Sequence, residues 1–467
     1  MAAYLTAEQR RQLGVAAAGS VPPSIHGDWR PDPGRPDPVA LLEEQNASRE
    51  PDLVPIRHGR MSASAFTFYR GAARIMADDL SRTPDSGLTV QLCGDAHLMN
   101  FGSFASPERR LVFDLNDFDE TLPGPFEHDV RRFAASLAVA AMDNGFDIDS
   151  CAAITATGVR SYREAMRQFA GMRTLDVWYA DLPEDRIRDA ARRLRKSAKD
   201  AKALKRYAKN VAAARKRDSV RALGKLAEVV DGEYRIVSRP PLVIPFRDLA
   251  AVPGASKEEL SEVVRRQFEA YRASLPDDRR RLLERFKIVD VAHKVVGVGS
   301  VGQRAFIVLL QGRDLDDPLF LQAKEVGPSV LESHLPPSQY AEPGERVVRG
   351  QRLMQATSDV LLGWSRGATA GHHYYCRQLR DMKGSAVVAA MSPGVMHVYA
   401  RLCGWTLARA HARSGDAVGI DAYLEGDGDV DRAFTEFALR YERQNRLDFD
   451  AFRAAIDSGR LQARPDL

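Results

Sequence analysis

Two short stretches concentrate the residue types that bind cations and move protons. GDAHLMNFG (94–102) carries Asp95, His97 and Asn100, and VFDLNDFDET (112–121) carries Asp114, Asp117 and Asp119. Both are set among apolar residues, where a charged group is costly unless something offsets it. A bound cation would. One carboxylate, one carboxamide and a second carboxylate form an oxygen-ligand set suited to magnesium. Asp95, Asn100 and Asp117 could supply such a set. Asp114 and Asp119 rank behind them, as extra ligands or as hydrogen-bond partners of the ligands. A carboxylate left off the metal can accept a proton from an attacking hydroxyl. Asp95 stands at a strand end after the turn-forming Gly94, and His97 would orient the loop or touch substrate. A base together with ligands for a phosphate-neutralising metal is what phosphoryl transfer requires. The plainer reading of any one acid is a cap or turn residue. The ordered set as a whole argues against that.

GVGSVG (297–302) is a second signal. A dinucleotide-binding GxGxxG must open a helix, but QRAFIVLLQ, which follows, reads as a strand. Gly297, Gly299 and Gly302 are thus expected in a β-hairpin, where the missing side chains let backbone N–H groups approach phosphates. That is the kinase style of glycine loop. In LFLQAKEV, alternation puts Phe320, Gln322 and Lys324 on one face. Lys324 could then reach phosphate oxygens over the hairpin, with Glu332 preferred to Glu345 as its carboxylate partner. The alternative is an edge-strand lysine facing solvent.

These residues need elements to hold them. Thr6 and Gln9 have capping-box spacing for a short helix. Residues 20–38 are a proline-rich arm that cannot be a helix interior or a central strand and would wrap the surface. VALLEEQ and SASAFTFYRGAARIMADDL read as helices, LTVQLCG and RRLVFDL as strands, and RRFAASLAVAAMDNG as an apolar helix ending at Gly145. Residues 150–230 read as charge-rich helix. Their basic run, 185–219, is either a solvated face or a surface for an anion. YRIVSRPPLVIPF reads as two strands broken by Pro240 and Pro241, followed by two helices and a β-rich stretch over 286–326. GERVVRGQRLMQATSD reads as a helix, DVLLGW and HHYYCRQL as strands, and the chain from Pro393 as helical. Arg57, Arg60 and Arg70 flank the aromatic residues Phe66, Phe68 and Tyr69, and are candidates for an anionic substrate or for surface ion pairs. His372, His373 and His411 lack metal-ligand spacing.

The chain has 467 residues, more than one hydrophobic core usually holds. With 44% hydrophobic and 28% charged residues it reads as soluble and globular. A net charge of +4 does not argue for nucleic acid. The 4 cysteines form no CxxC pair, so neither a zinc site nor a disulfide framework is expected, and a cytoplasmic location fits. The N-terminal MAAYLTAEQRRQLG carries charges where a signal peptide needs an apolar core. Apolar runs fall short of a membrane span.

GDAHLMN resembles the GDxHxxN catalytic loop of the kinase-like superfamily in its aminoglycoside- and choline-kinase form. Asp117 in NDFDE falls where those enzymes hold the metal-binding aspartate, and Asp129 in FEHDVRRFA resembles their later structural aspartate. The resemblance implies an α+β, protein-kinase-like two-lobe fold that uses ATP and Mg2+ on a small-molecule acceptor it does not identify. Asp95 would be the base, and Asn100 and Asp117 the metal ligands, with Asp119 beside them. Lys324 would anchor phosphates under Gly297, Gly299 and Gly302. RQLRDMKG (377–384), with Gln378, would lie at the hinge beside the adenine. The order is reversed, however, because kinases place the glycine loop and lysine before the catalytic loop. A circular permutation accounts for this. It would give an N-terminal arm over 1–55, a helical catalytic lobe over 56–285, a small antiparallel nucleotide-covering lobe over 286–384, and closing helices over 385–467.

RHGRMSASAFTFYRGAA, CGDAHLMNFG, FDLNDFDE, ERVVRGQRLMQ, YYCRQLRDMKGS and FTEFALRYERQNRLDF also resemble an uncharacterised bacterial family, domain of unknown function 2252. Three departures from kinases stand out. Cys93 replaces a frequent histidine, Asp119 stands where protein kinases have glycine, and the spacing from glycine loop to lysine is long. Three readings follow: a Mg-ATP-dependent phosphotransferase, a nucleotide-binding pseudokinase or AMP transferase, and a metal-dependent phosphoesterase that also begins Asp-x-His. The phosphoesterase would need further histidines and a GNHD-like segment.

Overall fold

Glycine and proline punctuate short strands throughout the middle of the chain, and tight turns favour antiparallel pairing. In the computed structural model, residues 4–185, 187–188, 209, 219–249, 257–295, 297–368, 371–379, 382–426 and 428–464 are described. The strands are β1 (Thr89–Leu92), β2 (Phe101–Ala105), β3 (Leu111–Leu115), β4 (Leu122–Pro125), β5 (Ala227–Val230), β6 (Glu233–Ile236), β7 (Val243–Pro245), β8 (Lys287–Lys294), β9 (Ala305–Gln311), β10 (Pro318–Glu325), β11 (Gly363–Arg366), β12 (His373–Gln378) and β13 (Gly384–Ser385). The fold is α+β, with every strand pairing antiparallel. The basic run at 185–219 lies almost wholly outside the described residues.

The largest sheet has six strands in the order β11-β12-β10-β9-β8-β7. The glycine turn joins β8 to β9. Lys324 sits near the end of β10, opposite Ala305 on β9 and Tyr375 on β12. The helix Pro343–Met354 links β10 to β11. One face of this sheet packs Ile307, Leu309 and Phe320. The other packs Leu310, Leu319 and Leu321 against Tyr271 of the helix Lys257–Ala273.

The acidic loops belong to two smaller sheets, β1-β4 and β13-β2-β3. Behind them the helices Phe126–Asp143, Ile148–Ala170, Pro393–Ser414 and Asp429–Asp457 share the main core. Phe126–Asp143 is buried on all sides over its first sixteen residues. The middle two helices cross closely. A Cβ at Gly404 would lie 2.3 Å from the Gly158 carbonyl, so only glycine permits that approach. The proline-rich arm lies along this lobe: His26 meets Tyr423 at 2.7 Å, and Trp29 packs on Phe437 and Tyr441.

Several elements differ from expectation for local reasons. The aromatic helix is two helices, Ala65–Gly71 and Ala73–Ser81, because the buried Arg57 takes the Gly71 carbonyl at 2.8 Å. The apolar helix begins at Phe126 rather than Arg131, directly after Pro125, whose fixed φ suits helix entry. The strand expected over DVLLGW starts only at Gly363, since Asp359 folds back to accept from the Leu361 amide at 2.8 Å. β2 and β4, both short and glycine-bearing, were not expected. Among the described residues the four cysteines are buried and unbonded, and no helix is long and apolar enough to cross a membrane.

Candidate functional site

β1 delivers Gly94 and Asp95 to the end of the small sheet. Gly94 has φ +83°, and a Cβ there would meet the Glu120 carbonyl at 2.1 Å, so the two acidic loops touch at this point. Asp129, one turn into its helix, accepts from the Cys93 amide at 2.7 Å and the Gly94 amide at 3.0 Å, and His411 lies 3.2 Å away. The first loop is thereby fastened to the core from below. Asp95 is fixed in turn. Its Oδ1 accepts from Arg132 Nε at 2.8 Å and lies 2.7 Å from Nη2, while Arg132 stacks 3.9 Å over Tyr69. Its Oδ2 lies 3.5 Å from His97 Nε2.

Burial brings the His97 pKa down to about 4 despite the pull of Asp95, so the imidazole is neutral near pH 7. The Met99 amide donates to its Nδ1 at 3.2 Å, which leaves the ring proton on Nε2, facing Asp95. Asn100 Nδ2 donates to the Asp95 carbonyl at 2.6 Å, leaving its carboxamide oxygen as a ligand atom.

Asp117 and Asp119 follow β3. Lys324 Nζ donates to Asp119 Oδ2 and lies 3.7 Å from Asp117 Oδ2. The other oxygen of each carboxylate, Oδ1, is buried without a hydrogen-bond partner. Burial opposes a charge on Lys324, but the two aspartates overcome it and raise its pKa. Burial also opposes ionisation of Asp117, yet Lys324, Arg377 and Lys383 hold its pKa below the usual range. Asp119 goes the other way: burial and the Asp117 charge push it up, against Lys324. Burial pulls Glu120 up to about 7, although the Val330 amide donates to it at 2.7 Å. Arg346, from the helix Pro343–Met354, donates to the carbonyls of Thr121 (2.6 Å), Asp119 (2.8 Å) and Gly327 (2.8 Å), which ties the acidic loop to the end of β10.

One cleft of about 100 Å³ is lined by Asp95, His97 and Asn100, by Asp117, Asp119 and Glu120, and by Gly297 and Gly299. Arg49 and Arg70 close it. The glycine turn is held from the stretch between Asn46 and Met61: Arg60 donates to the Gly297 carbonyl at 2.6 Å, Arg49 to the Val301 carbonyl at 2.6 Å, and the Glu50 amide to the Gly302 carbonyl at 2.8 Å.

Eight of the residues singled out from sequence, Arg70, Asp95, His97, Asn100, Asp117, Asp119, Gly297 and Gly299, thus share one cleft, and Lys324 contacts two of them. The remainder are placed elsewhere. Gly302, at φ +90°, faces the Arg49 stem rather than the cleft. Glu332 is not the partner of Lys324, because Asp117 and Asp119 take that place; it accepts from the Ser329 amide at 2.8 Å as the end of a capping box and lies 3.7 Å from Arg346. Glu345 pairs with Arg349. Gln378 ends β12 with its amide and side chain on Asp359, at 2.6 and 3.1 Å, outside the cleft. Asp114 is buried against Arg409 at 2.5 Å and the Ala356 amide at 2.9 Å, so it holds structure and not a ligand. Arg57 is likewise committed to Asn46, Gln45 and Gly71.

Arg49, Arg132 and Glu120 were missed. Arg132 stands among charges that are themselves buried, Glu127, Asp129 and Arg131, and Glu120 beside the cleft acids Asp117 and Asp119. Only the position of Arg132, one turn beyond Asp129 on an apolar helix, hinted at burial.

Among the described residues no three His, Cys, Asp or Glu side chains form a metal cage. Magnesium does not need one, since it is held by one or two carboxylates with substrate phosphates and water. The orphaned Oδ1 atoms of Asp117 and Asp119, with the free carboxamide oxygen of Asn100, fit that kind of site.

A family model described as an uncharacterized protein conserved in bacteria (DUF2252) matches residues 49–455. No curated protein and no solved structure matches the chain.

Proposed function

We propose that this chain, which belongs to the DUF2252 family of uncharacterized bacterial proteins, is a Mg-ATP-dependent phosphotransferase of circularly permuted kinase-like fold, acting on a small molecule. One observation carries the reading: Lys324, from the sheet, reaches Asp117 and Asp119 in the cleft that also holds Asp95 and the glycine turn. The sheet supports it. The glycine turn joins its strands β8 and β9, the lysine lies on β10, and a helix precedes β11 and β12. This is the order in which a kinase lays a glycine loop and a third-strand lysine over ATP.

In this reading Lys324 presents its ammonium to the phosphates, and backbone N–H groups at Gly297 and Gly299 cover them. Asn100, Asp117 and Asp119 would hold Mg2+, which supplies charge neutralisation on the transferring phosphoryl group. Asp95 Oδ2 takes the proton of the acceptor hydroxyl, with Oδ1 pinned by Arg132 and His97 excluding water beside it. The cleft is smaller than the ~300–1,000 Å³ of typical ligand pockets. Nucleotide entry would require the glycine turn to leave Arg49 and Arg60.

ATP turnover with product analysis tests the proposal. The expected result is Mg2+-dependent ADP formation that is lost in Asp117→Ala. Release of AMP would replace it with nucleotidyl transfer. Cleavage of phosphate monoesters with no effect of nucleotide would replace it with a phosphoesterase.

A further inference from the structure

We infer that the acceptor carries an oxyanion, which Arg70 reads while the acceptor hydroxyl sits at Asp95. This rests on the phosphotransferase reading and adds the class of acceptor.

The argument begins with pairing. Burial strips water from a guanidinium, and the fold normally returns hydrogen-bond acceptors. Arg57, Arg132, Arg346 and Arg409 each have them. Arg70, half-buried at the cleft wall, does not: its Nε is buried without a partner, and among the described residues no carboxylate or carbonyl accepts from it. The charge that acts on it is Asp95, the proposed base.

The four acids of the cleft are already engaged, Asp95 by Arg132, Asp117 and Asp119 by Lys324, and Glu120 by the Val330 amide. The unspent charge on the acceptor side is therefore positive. A cationic acceptor would meet Arg70 with repulsion, whereas an oxyanion would complete its hydrogen bonds.

The surroundings leave room for such a molecule. Thr67 lies one turn before Arg70 on the same helix face and lines a neighbouring recess of about 720 Å³. That recess shares Gly297 and Val298 with the cleft, and Arg60 and Arg464 stand on its wall. Its volume lies within the range of small-molecule sites. The acceptor's body would occupy the recess, its oxyanion Arg70, and its hydroxyl the space at Asp95 Oδ2.

The test is titration calorimetry on the full chain, wild type, Arg70→Gln and Arg70→Lys, with inorganic phosphate and with acetate as probes, each in the presence of saturating Mg·ADP. Phosphate or acetate should bind the wild type, weaken at least about tenfold in Arg70→Gln, and recover in part in Arg70→Lys, while Mg·ADP affinity changes less than about twofold. Tighter phosphate assigns a phosphorylated acceptor, and tighter acetate a carboxylated one. Three results would overturn the inference: no anion binding in the wild type, undiminished binding in Arg70→Gln, or parallel loss of Mg·ADP in that variant, which would give Arg70 to the nucleotide. If the wild type binds no Mg·ADP, the phosphotransferase reading fails. The same anion titration on the nucleotide-free protein then still decides whether Arg70 is an oxyanion site.

Discussion

Lys324 donates to Asp119 across 205 positions of sequence, and this contact joins the six-stranded sheet to the acidic loop. Its energetics follow from burial. Lys324 is 4% exposed, and the two aspartates beside it share its charge. Removing one partner of a buried ion pair costs about 3–5 kcal/mol, because the other charge is left uncompensated. Lys324→Met should therefore lower the thermal midpoint, and Mg2+ should raise it more in this variant than in the wild type. Calorimetric melting with and without Mg2+ checks both.

Asp95→Asn keeps an oxygen for Arg132 but removes the proton acceptor. Turnover should fall by about 10²–10⁴-fold, the usual contribution of a positioned base. ATP affinity should stay within about twofold, because the proposal sets Asp95 against the acceptor and not the nucleotide. Rate measurements beside equilibrium binding separate the two effects. Equal losses in both would make Asp95 a binding or structural residue.

Asp117 is held ionised by Lys324, Arg377 and Lys383 even though burial opposes it. A saturating ligand at about 100 times its Kd stabilises the native state by about 2.7 kcal/mol. The wild type should show that shift with Mg·ATP, and a smaller one with ATP in chelator. Asp117→Ala should abolish the difference between the two conditions. A thermal-shift assay reads all four combinations.

His26 does not line the cleft and gives a separate test of the arm. Burial, aided by the Arg131 charge, lowers its pKa to about 3. In the unfolded chain it titrates near 6.5. Between these values the unfolded state binds the extra proton, so stability is present above about pH 6.5 and is lost as pH falls. The thermal midpoint should drop from about pH 7 to about pH 5, and His26→Asn should flatten that slope.

Sequence went furthest where chemistry is local. Asp95, His97 and Asn100 lie in one short loop between strands, and Asp117 and Asp119 in another, so their types and spacing alone suggest a shared space. The glycine turn was legible because a strand, not a helix, follows it. Partner choice was not legible. Glu332 has the spacing of a lysine partner, but a local capping box with Ser329 claims it before any tertiary contact can. Gln378 follows the right strand, yet Asp359 takes its amide and side chain. Asp114 looks like its neighbours in sequence. Alternation along β3 turns it toward Arg409 and away from the cleft. Arg49 and Arg132 acquire their positions only when the arm and the core helix close on the loops. Nothing in the neighbours of Arg49 records that, and for Arg132 only its place on an apolar helix does.

The most direct measurement is a crystal structure with Mg2+ and a non-hydrolysable ATP analogue. The account predicts phosphates between the Gly297–Gly299 turn and Asp117, with the Lys324 ammonium on a phosphate oxygen. An analogue bound elsewhere, or Lys324 still on Asp119 beside an empty cleft at saturating nucleotide, would contradict it.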